Sequence, residues 1–268
     1  MLASFPSAPE LNNAYVAQVW QTLPTFIRPT LFTLATRLSA ELGCEITLAS
    51  ESLQHTGSFK FRAAYNLLSS VPQTRIVTAS SGNFGQAVAY ACKLLDKSCT
   101  VVMPETSAQV KIAAVQSYGG TVDLIDVHQI SRAERVAQLL EQYPDAFWAQ
   151  AYDDYRVVAG NSTLGHEILA LGPFDTIVVP VGGGGLSSGI VVARDYLEAT
   201  TEIVGAEPLA GNDAARSLRT GHLVKNEAEP ATVADGARTI SLGKLNWEIL
   251  QRGLADIVEV PMSRPWRP

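Results

Sequence analysis

Cysteine is scarce in this chain. Three residues of 268, Cys44, Cys92 and Cys99, are odd in number and lack paired metal-ligand spacing. That excludes a disulfide scaffold and a zinc-cysteine module, and the thiols read as reduced and buried in a cytoplasmic protein. Charge is sparse as well: 17% of residues are charged and the formal net charge is −6. Such a balance argues against nucleic acid as the main partner, because phosphate-backbone binding wants a basic face. No apolar run reaches the roughly 18 residues a membrane span needs. The opening residues, MLASFPSAPELNNAYV, have no basic stretch followed by an apolar core, so no secretory signal is expected. At 268 residues the chain lies between one large domain and two smaller ones. A soluble cytoplasmic protein, with neither membrane nor nucleic acid as a partner, is the expectation.

Glycine, by contrast, is plentiful and grouped. Gly182, Gly183, Gly184 and Gly185 follow an apolar run, 175–181, that reads as a buried parallel strand, and they precede a helical pattern from Leu186. A strand, a turn without Cβ atoms and a helix start together make an anion cradle. Backbone amides can approach the ligand, and the helix end adds roughly half a positive charge. The alternative is an ordinary flexible turn.

Strand-like and helix-like segments alternate along the chain, which is the pattern of an α/β fold with parallel sheets. Strands are expected at 45–49, 75–79, 100–103, 122–126, 147–149, 175–181, 202–206 and 256–260. Helices are expected at 58–69, 84–95, 108–118, 131–142, 156–171 and from 186, then near 213–220 and 245–252. The stretch 72–149 forms a compact βαβαβ block and reads as a small domain, with 1–71 and 150–268 as the large one.

Two further strand-end turns bear chemistry. In the segment His55 to Ala64, Ser58 is a plausible helix N-cap and Lys60 falls in the first turn. The helix dipole disfavours a cation there, lowering the amine's pKa and favouring a nucleophilic nitrogen. A solvated surface lysine is the alternative. Ser80, Ser81, Gly82 and Asn83 link a strand to a helix, where amides can hold a carboxylate and the Asn83 amide can donate to an oxygen. A plain capped turn is again the alternative.

In combination, Lys60 after Gly57-Ser58-Phe59, the Ser81-Gly82-Asn83 turn and the tetraglycine resemble the fold-type II pyridoxal-phosphate enzymes. Within them the likeness is to the threonine/serine dehydratase and serine racemase branch. Glu51-Ser-Leu-Gln54, Lys111 with Gly119-Gly120, Ala159-Gly160 and Ala234-Asp-Gly-Ala237 agree with it. The resemblance implies a two-lobed fold like that of the tryptophan synthase β chain, with pyridoxal 5′-phosphate bound by Lys60 as a Schiff base. Phe59 would pack on the ring, Asn83 would bond its phenolic oxygen, Gly236 would lie near it, and Gly182 to Gly185 would hold the phosphate. Ser80, Ser81, Gly82 and Asn83 would receive the substrate carboxylate. The implied reaction is dehydration and deamination of a hydroxy amino acid such as L-threonine or L-serine to a 2-keto acid and ammonia. Ser81, on the cofactor face opposite Lys60, would permit racemisation instead. Glu207, the Gly211 carbonyl and Asp213 correspond to a divalent-cation site suited to Mg²⁺ or Ca²⁺. Relatives are commonly homodimers.

The chain also departs from the pattern. Phe84 stands where relatives have His, so no polar substrate contact is expected there. Relatives continue past the strand at 256–260 through a helix and a strand to a turn whose Ser or Cys meets the pyridine nitrogen. The tail from Met262 to Pro268 does not resemble that segment, and a shortened C-terminus is the expectation. Weak turnover, or a non-catalytic cofactor-binding relative, is therefore an expectation. A remote alternative is a serine hydrolase, since Gly185, Ser187 and Gly189 fit the Gly-x-Ser-x-Gly elbow, with Asp195 or Asp213 and His222 as partners.

Overall fold

A computed structural model describes residues 11–80 and 82–261. Ser81 and the tail 262–268 lie outside the described residues, as do the first ten. The chain begins with α1 (Asn13–Thr22), β1 (Leu31–Leu34), α2 (Thr36–Leu42), β2 (Thr47–Ser50) and α3 (Lys60–Ser69). There follow β3 (Arg75–Ala79), α4 (Asn83–Leu94), β4 (Ser98–Pro104), α5 (Gln109–Ser117), β5 (Thr121–Ile125), α6 (Arg132–Gln142) and β6 (Phe147–Trp148). The remainder is α7 (Tyr155–Leu171), β7 (Thr176–Pro180), α8 (Gly185–Tyr196), β8 (Glu202–Pro208), α9 (Asp213–Thr220), α10 (Lys244–Gly253) and β9 (Asp256–Val260).

Two parallel sheets result. One has the order β5-β4-β3-β6 and the other β7-β8-β9. The central strand β3 buries Ile76 and Val77 in succession, because helices cover both faces of its sheet. Val77, Val102, Ile125, Val136 and Leu139 form a small core beneath α6, whose start is fixed by a reciprocal Ser131–Glu134 capping box. The larger core joins α3, α4, α7 and α8. Helix α7 meets its neighbours at glycines: a Cβ on Gly160 would lie 2.6 Å from the Arg62 carbonyl, and one on Gly165 2.6 Å from the Ala193 methyl.

Three expectations need correction. The strand near 45–49 is β2, and it pairs antiparallel with β1 rather than joining a parallel sheet. The elements α1, β1 and α2 have no counterpart in the sequence reading. Helix α2 buries no residue, so it lacks the apolar stripe that such reading depends on. Ser58 is no N-cap: it is extended (φ −164°), the cap position belongs to Phe59, and the buried Ser58 hydroxyl has no partner among the described residues.

Candidate active site

The approach to Lys60 is strained. Thr56 and Gly57 both occupy the left-handed region, at φ 62° and 72°. For a β-branched residue such as Thr56 that conformation is costly and persists only where its surroundings impose it. The clamp lies close by. Arg62, two residues past Lys60, is fully buried and holds Glu51 through Nε–Oε2 at 2.7 Å and Nη2–Oε1 at 2.8 Å. Its Nη1 reaches Glu167 Oε1 at 2.7 Å and Thr163 Oγ1 at 3.1 Å. Gln54 adds a second tie, donating to the Arg28 carbonyl at 2.7 Å and accepting from the Arg28 amide at 2.9 Å. Lys60 is thus mounted on a segment anchored on both sides.

The Lys60 residue keeps some exposed surface, while its amine lies among protein atoms, 4.8 Å from the centroid of the Phe59 ring. Desolvation by burial pushes the amine down to about 8. The direction matches the sequence reading, but the cause is burial in place of the helix dipole. A lysine in this state has a substantial neutral fraction near physiological pH, which is what a nucleophile or proton acceptor requires.

The tetraglycine forms the turn between β7 and α8. Gly184, at φ 91°, is the N-cap of α8 and offers no side-chain cap. The Gly183 carbonyl accepts from Gly243 N at 3.1 Å and from Asn246 Nδ2 at 2.8 Å. In a planar trans peptide the N–H opposes the C=O, so this anchoring turns the Gly184 amide the other way. Among the described residues the amides of Gly182, Gly183 and Gly184 donate to no protein group, though Gly183 and Gly184 are buried. Buried N–H groups without partners are rare unless a ligand completes them. A Cβ on Gly183 would stand 2.3 Å from the Tyr152 ring, and one on Gly182 would stand 2.9 Å from the Gly236 carbonyl. The structure thereby brings Gly236 against the tetraglycine. The cradle is closed to side chains and supplied with donors, which suits a phosphate dianion.

The turn after β3 supplies a second set of groups. Ser80 N donates to the Val102 carbonyl at 3.2 Å, and Ser80 Oγ accepts from Gly82 N at 3.3 Å. Asn83 opens α4 with an exposed side chain that has no hydrogen-bond partner among the described residues. The next residue, Phe84, is 2% exposed and belongs to the core, consistent with the absence of a polar contact there. Helix α4 packs against α3, so the Asn83 and Lys60 helices are neighbours.

At the carboxyl end of β8, Glu207 and Asp213 are both buried. Glu207 accepts from Ala215 N at 2.7 Å and Ala214 N at 3.3 Å; Asp213 accepts from Asn226 Nδ2 at 2.8 Å and Leu242 N at 3.1 Å. Burial, reinforced by the Asp213 charge, raises Glu207 to about 7, and burial raises Asp213 to about 6. Among the described residues no group of three or more His, Cys, Asp or Glu could hold a metal. Two carboxylates therefore stand without a third side-chain ligand.

The hydrolase alternative does not survive the structure. Ser187 is fully buried in α8, with its hydroxyl donating to the Gly184 carbonyl at 3.1 Å. Asp195 pairs with Arg194, Asp213 is held as described, and His222 contacts the Thr220 carbonyl. Sequence reading missed Tyr152 and Asn246, which fix the tetraglycine. The sequence cue for Asn246 was a polar residue three and four positions before Ile249 and Leu250 on the apolar face of α10, a position the structure buries fully.

A family model described as pyridoxal-phosphate dependent enzyme matches residues 23–264. An L-threo-3-hydroxyaspartate ammonia-lyase from Pseudomonas sp is 39% identical over 238 residues, 87% of this chain and 74% of that protein. A serine racemase from Schizosaccharomyces pombe is 34% identical over 250 residues, 91% of this chain and 77% of that one. Among solved structures, the serine racemase of Dictyostelium discoideum superposes with a TM-score of 0.84 at 32% identity, covering 93% of this chain and 81% of that chain. A solved threonine deaminase superposes with a TM-score of 0.86 at 36% identity, covering 96% of this chain and 82% of that chain.

Proposed function

With the chain belonging to the pyridoxal-phosphate-dependent enzymes of fold-type II, we propose that it eliminates water from a hydroxy amino acid such as L-threonine or L-serine, releasing a 2-keto acid and ammonia. The observation that bears most weight is the buried Lys60 amine, held near a pKa of about 8. Similarity to hydroxyaspartate ammonia-lyases supports the reaction class. When bound, pyridoxal phosphate supplies the electron sink that lets a proton leave the substrate's Cα.

The chain's own residues then divide the work. The free amides of Gly182, Gly183 and Gly184, with Gly185 at the helix start, would hold the phosphate. Lys60 would hold the cofactor covalently and move the proton at the substrate's Cα; Phe59 would pack against the ring and Gly236 would border it. Asn83 would donate to the phenolic oxygen, and Ser80, Ser81, Gly82 and Asn83 would hold the substrate carboxylate. We take 72–149, which contains the four-stranded sheet, as the small domain and 1–71 with 150–268 as the large one. A second reading, racemisation with Ser81 opposite Lys60, is supported by the likeness to serine racemases. Exposed Leu31, Leu34, Leu42 and Leu48 on the antiparallel pair and α2 suit a homodimer.

For the carboxylates at β8, the proposal is Mg²⁺ or Ca²⁺ held by Glu207, Asp213 and the Gly211 carbonyl. Each carboxyl titrates above its ordinary value, so the stability their protonated forms provide is lost as pH rises through about 6 and 7. A cation opposes that loss.

The test is a keto-acid assay of the purified chain against L-serine, L-threonine and L-threo-3-hydroxyaspartate, with D-serine formation followed in parallel. Keto acid from at least one substrate is expected; D-serine without keto acid would favour the racemase, and neither product would end both readings. Mg²⁺ at pH 8 is expected to raise the melting temperature, and Glu207→Gln to remove the response.

Cofactor capture has its own pH signature. Only the neutral amine reacts, so the rate at which apoprotein binds pyridoxal phosphate covalently should rise about tenfold per pH unit below 8 and level off above it. Stopped-flow absorbance between pH 6 and 10 reads this directly. A profile that keeps rising past pH 10 would mean the amine is not shifted.

A further inference from the structure

The carboxyl end of α4 contains a feature that the proposed catalysis does not use. Cys92 lies in the last turn of that helix, and Cys99 is the second residue of β4. Between them the Cys92 carbonyl accepts from Leu95 N at 3.2 Å and Lys97 N at 2.9 Å, and Asp96 takes a left-handed φ of 53°. This helix stop folds the chain straight back into the strand, where Cys99 is fixed by its parallel pairing with Ile76.

The return brings the two thiols close enough to influence each other, on the wall of one cavity. Both are free cysteines, 1% and 5% exposed. Both nonetheless border a cavity of about 370 Å³ that Lys93, Asp96, Lys97 and Tyr118 also line. Opposite the cavity the wall is tight, since a Cβ on Gly120 would lie 3.1 Å from Cys99 Sγ. Among the described residues no further His, Cys or carboxylate joins the pair in a metal-holding group.

We propose that Cys92 and Cys99 form an oxidisable dithiol, a modification site at which a hydroperoxide converts the pair into a disulfide. The neighbouring Cys92 draws the Cys99 thiol below its ordinary value, while Cys99 and burial push Cys92 up. Cys99 is therefore the attacking sulfur. Its thiolate displaces hydroxide from hydrogen peroxide, forming a sulfenic acid, and the hydroxide leaves as water after taking a proton. The Cys92 sulfur then attacks the Cys99 sulfur; the S–O bond breaks, an S–S bond forms and a second water departs with the Cys92 proton. Two electrons pass from the two sulfurs to one peroxide.

Cys44, exposed where the sequence reading has all three thiols buried, competes for oxidant, so the experiment uses a full-length Cys44→Ser holoenzyme. The folded protein is treated with hydrogen peroxide, quenched, unfolded and alkylated with iodoacetamide. Peptide mass spectrometry should show Cys92 and Cys99 joined, lighter by two hydrogens, unalkylated, and restored by dithiothreitol. In a parallel Cys92→Ser protein, dimedone should trap a sulfenic acid on Cys99. Full alkylation of both cysteines after peroxide, or separate conversion to sulfinic acids without a bridge, overturns the proposal.

Discussion

Replacing Lys60 by alanine should lower kcat by about 10³-fold or more while leaving the fold intact, a size typical for loss of a general acid–base group. The loss is larger if covalent cofactor binding fails with it. Stability should change little, because alanine is a strong helix former and the helix is anchored by the residues that follow. Phe61, Ala63 and Ala64 are fully buried in the core, and Arg62 is clamped. Two measurements separate chemistry from folding. Borohydride reduction should fix the cofactor to Lys60 in the parent and to no residue in the variant, while the melting temperatures should agree within a few degrees. A Lys60→Arg variant should be equally inactive, since a guanidinium is not deprotonated in this range. Turnover of Lys60→Ala within tenfold of the parent would remove Lys60 from the mechanism.

The largest effect on stability is expected from Arg62→Met. Removing one partner from a buried charge network strands the other, at about 3–5 kcal/mol. In a chain of this length that is on the order of 10 °C in melting temperature. Glu51 and Glu167 would both lose a hydrogen bond of 2.7 Å to a side chain with no exposed surface. The pH dependence should change as well. Burial alone would raise the Glu167 carboxyl, but hydrogen bonding and charge from Arg62 outweigh it and hold the group below its ordinary value. A depressed carboxyl stabilises the fold above its unfolded pKa, and that contribution disappears as pH falls through the folded value. Arg62→Met should therefore lose less of its remaining stability than the parent between pH 5 and 3. Thermal denaturation across that range checks the claim, and equal melting temperatures at pH 7 would show that the network contributes nothing net.

Much of the fold was legible because its cues are local. The strand Arg75–Ala79, the helix Asp213–Thr220 and the strand Asp256–Val260 follow the expected bounds residue for residue. Each is a short apolar or amphipathic run bounded by turn residues. The elements α1, β1 and α2 were not legible, since their residues are only weakly patterned for burial. Ser58 misled for a related reason: a hydroxyl before a helix looks like a cap, while here Gly57 and Phe59 set the backbone and the oxygen bonds none of the helix amides.

The chemistry divides along similar lines. Alternating strand-like and helix-like runs determined the fold class. The glycine run determined an anion cradle, because a Cβ-free turn at a helix start presents amides whatever surrounds it. The identity of the ligand followed from the resemblance carried by Lys60, Asn83 and the tetraglycine together. Tertiary structure alone decided the rest. Desolvation sets the Lys60 amine at about 8, and desolvation is a property of neighbours brought in from other elements. Glu51 and Glu167 meet at Arg62, and Tyr152 and Asn246 meet at Gly183, across sequence separations that no local pattern encodes. The same holds for Ser187, whose motif suggested a nucleophile until burial in α8 removed it from reach.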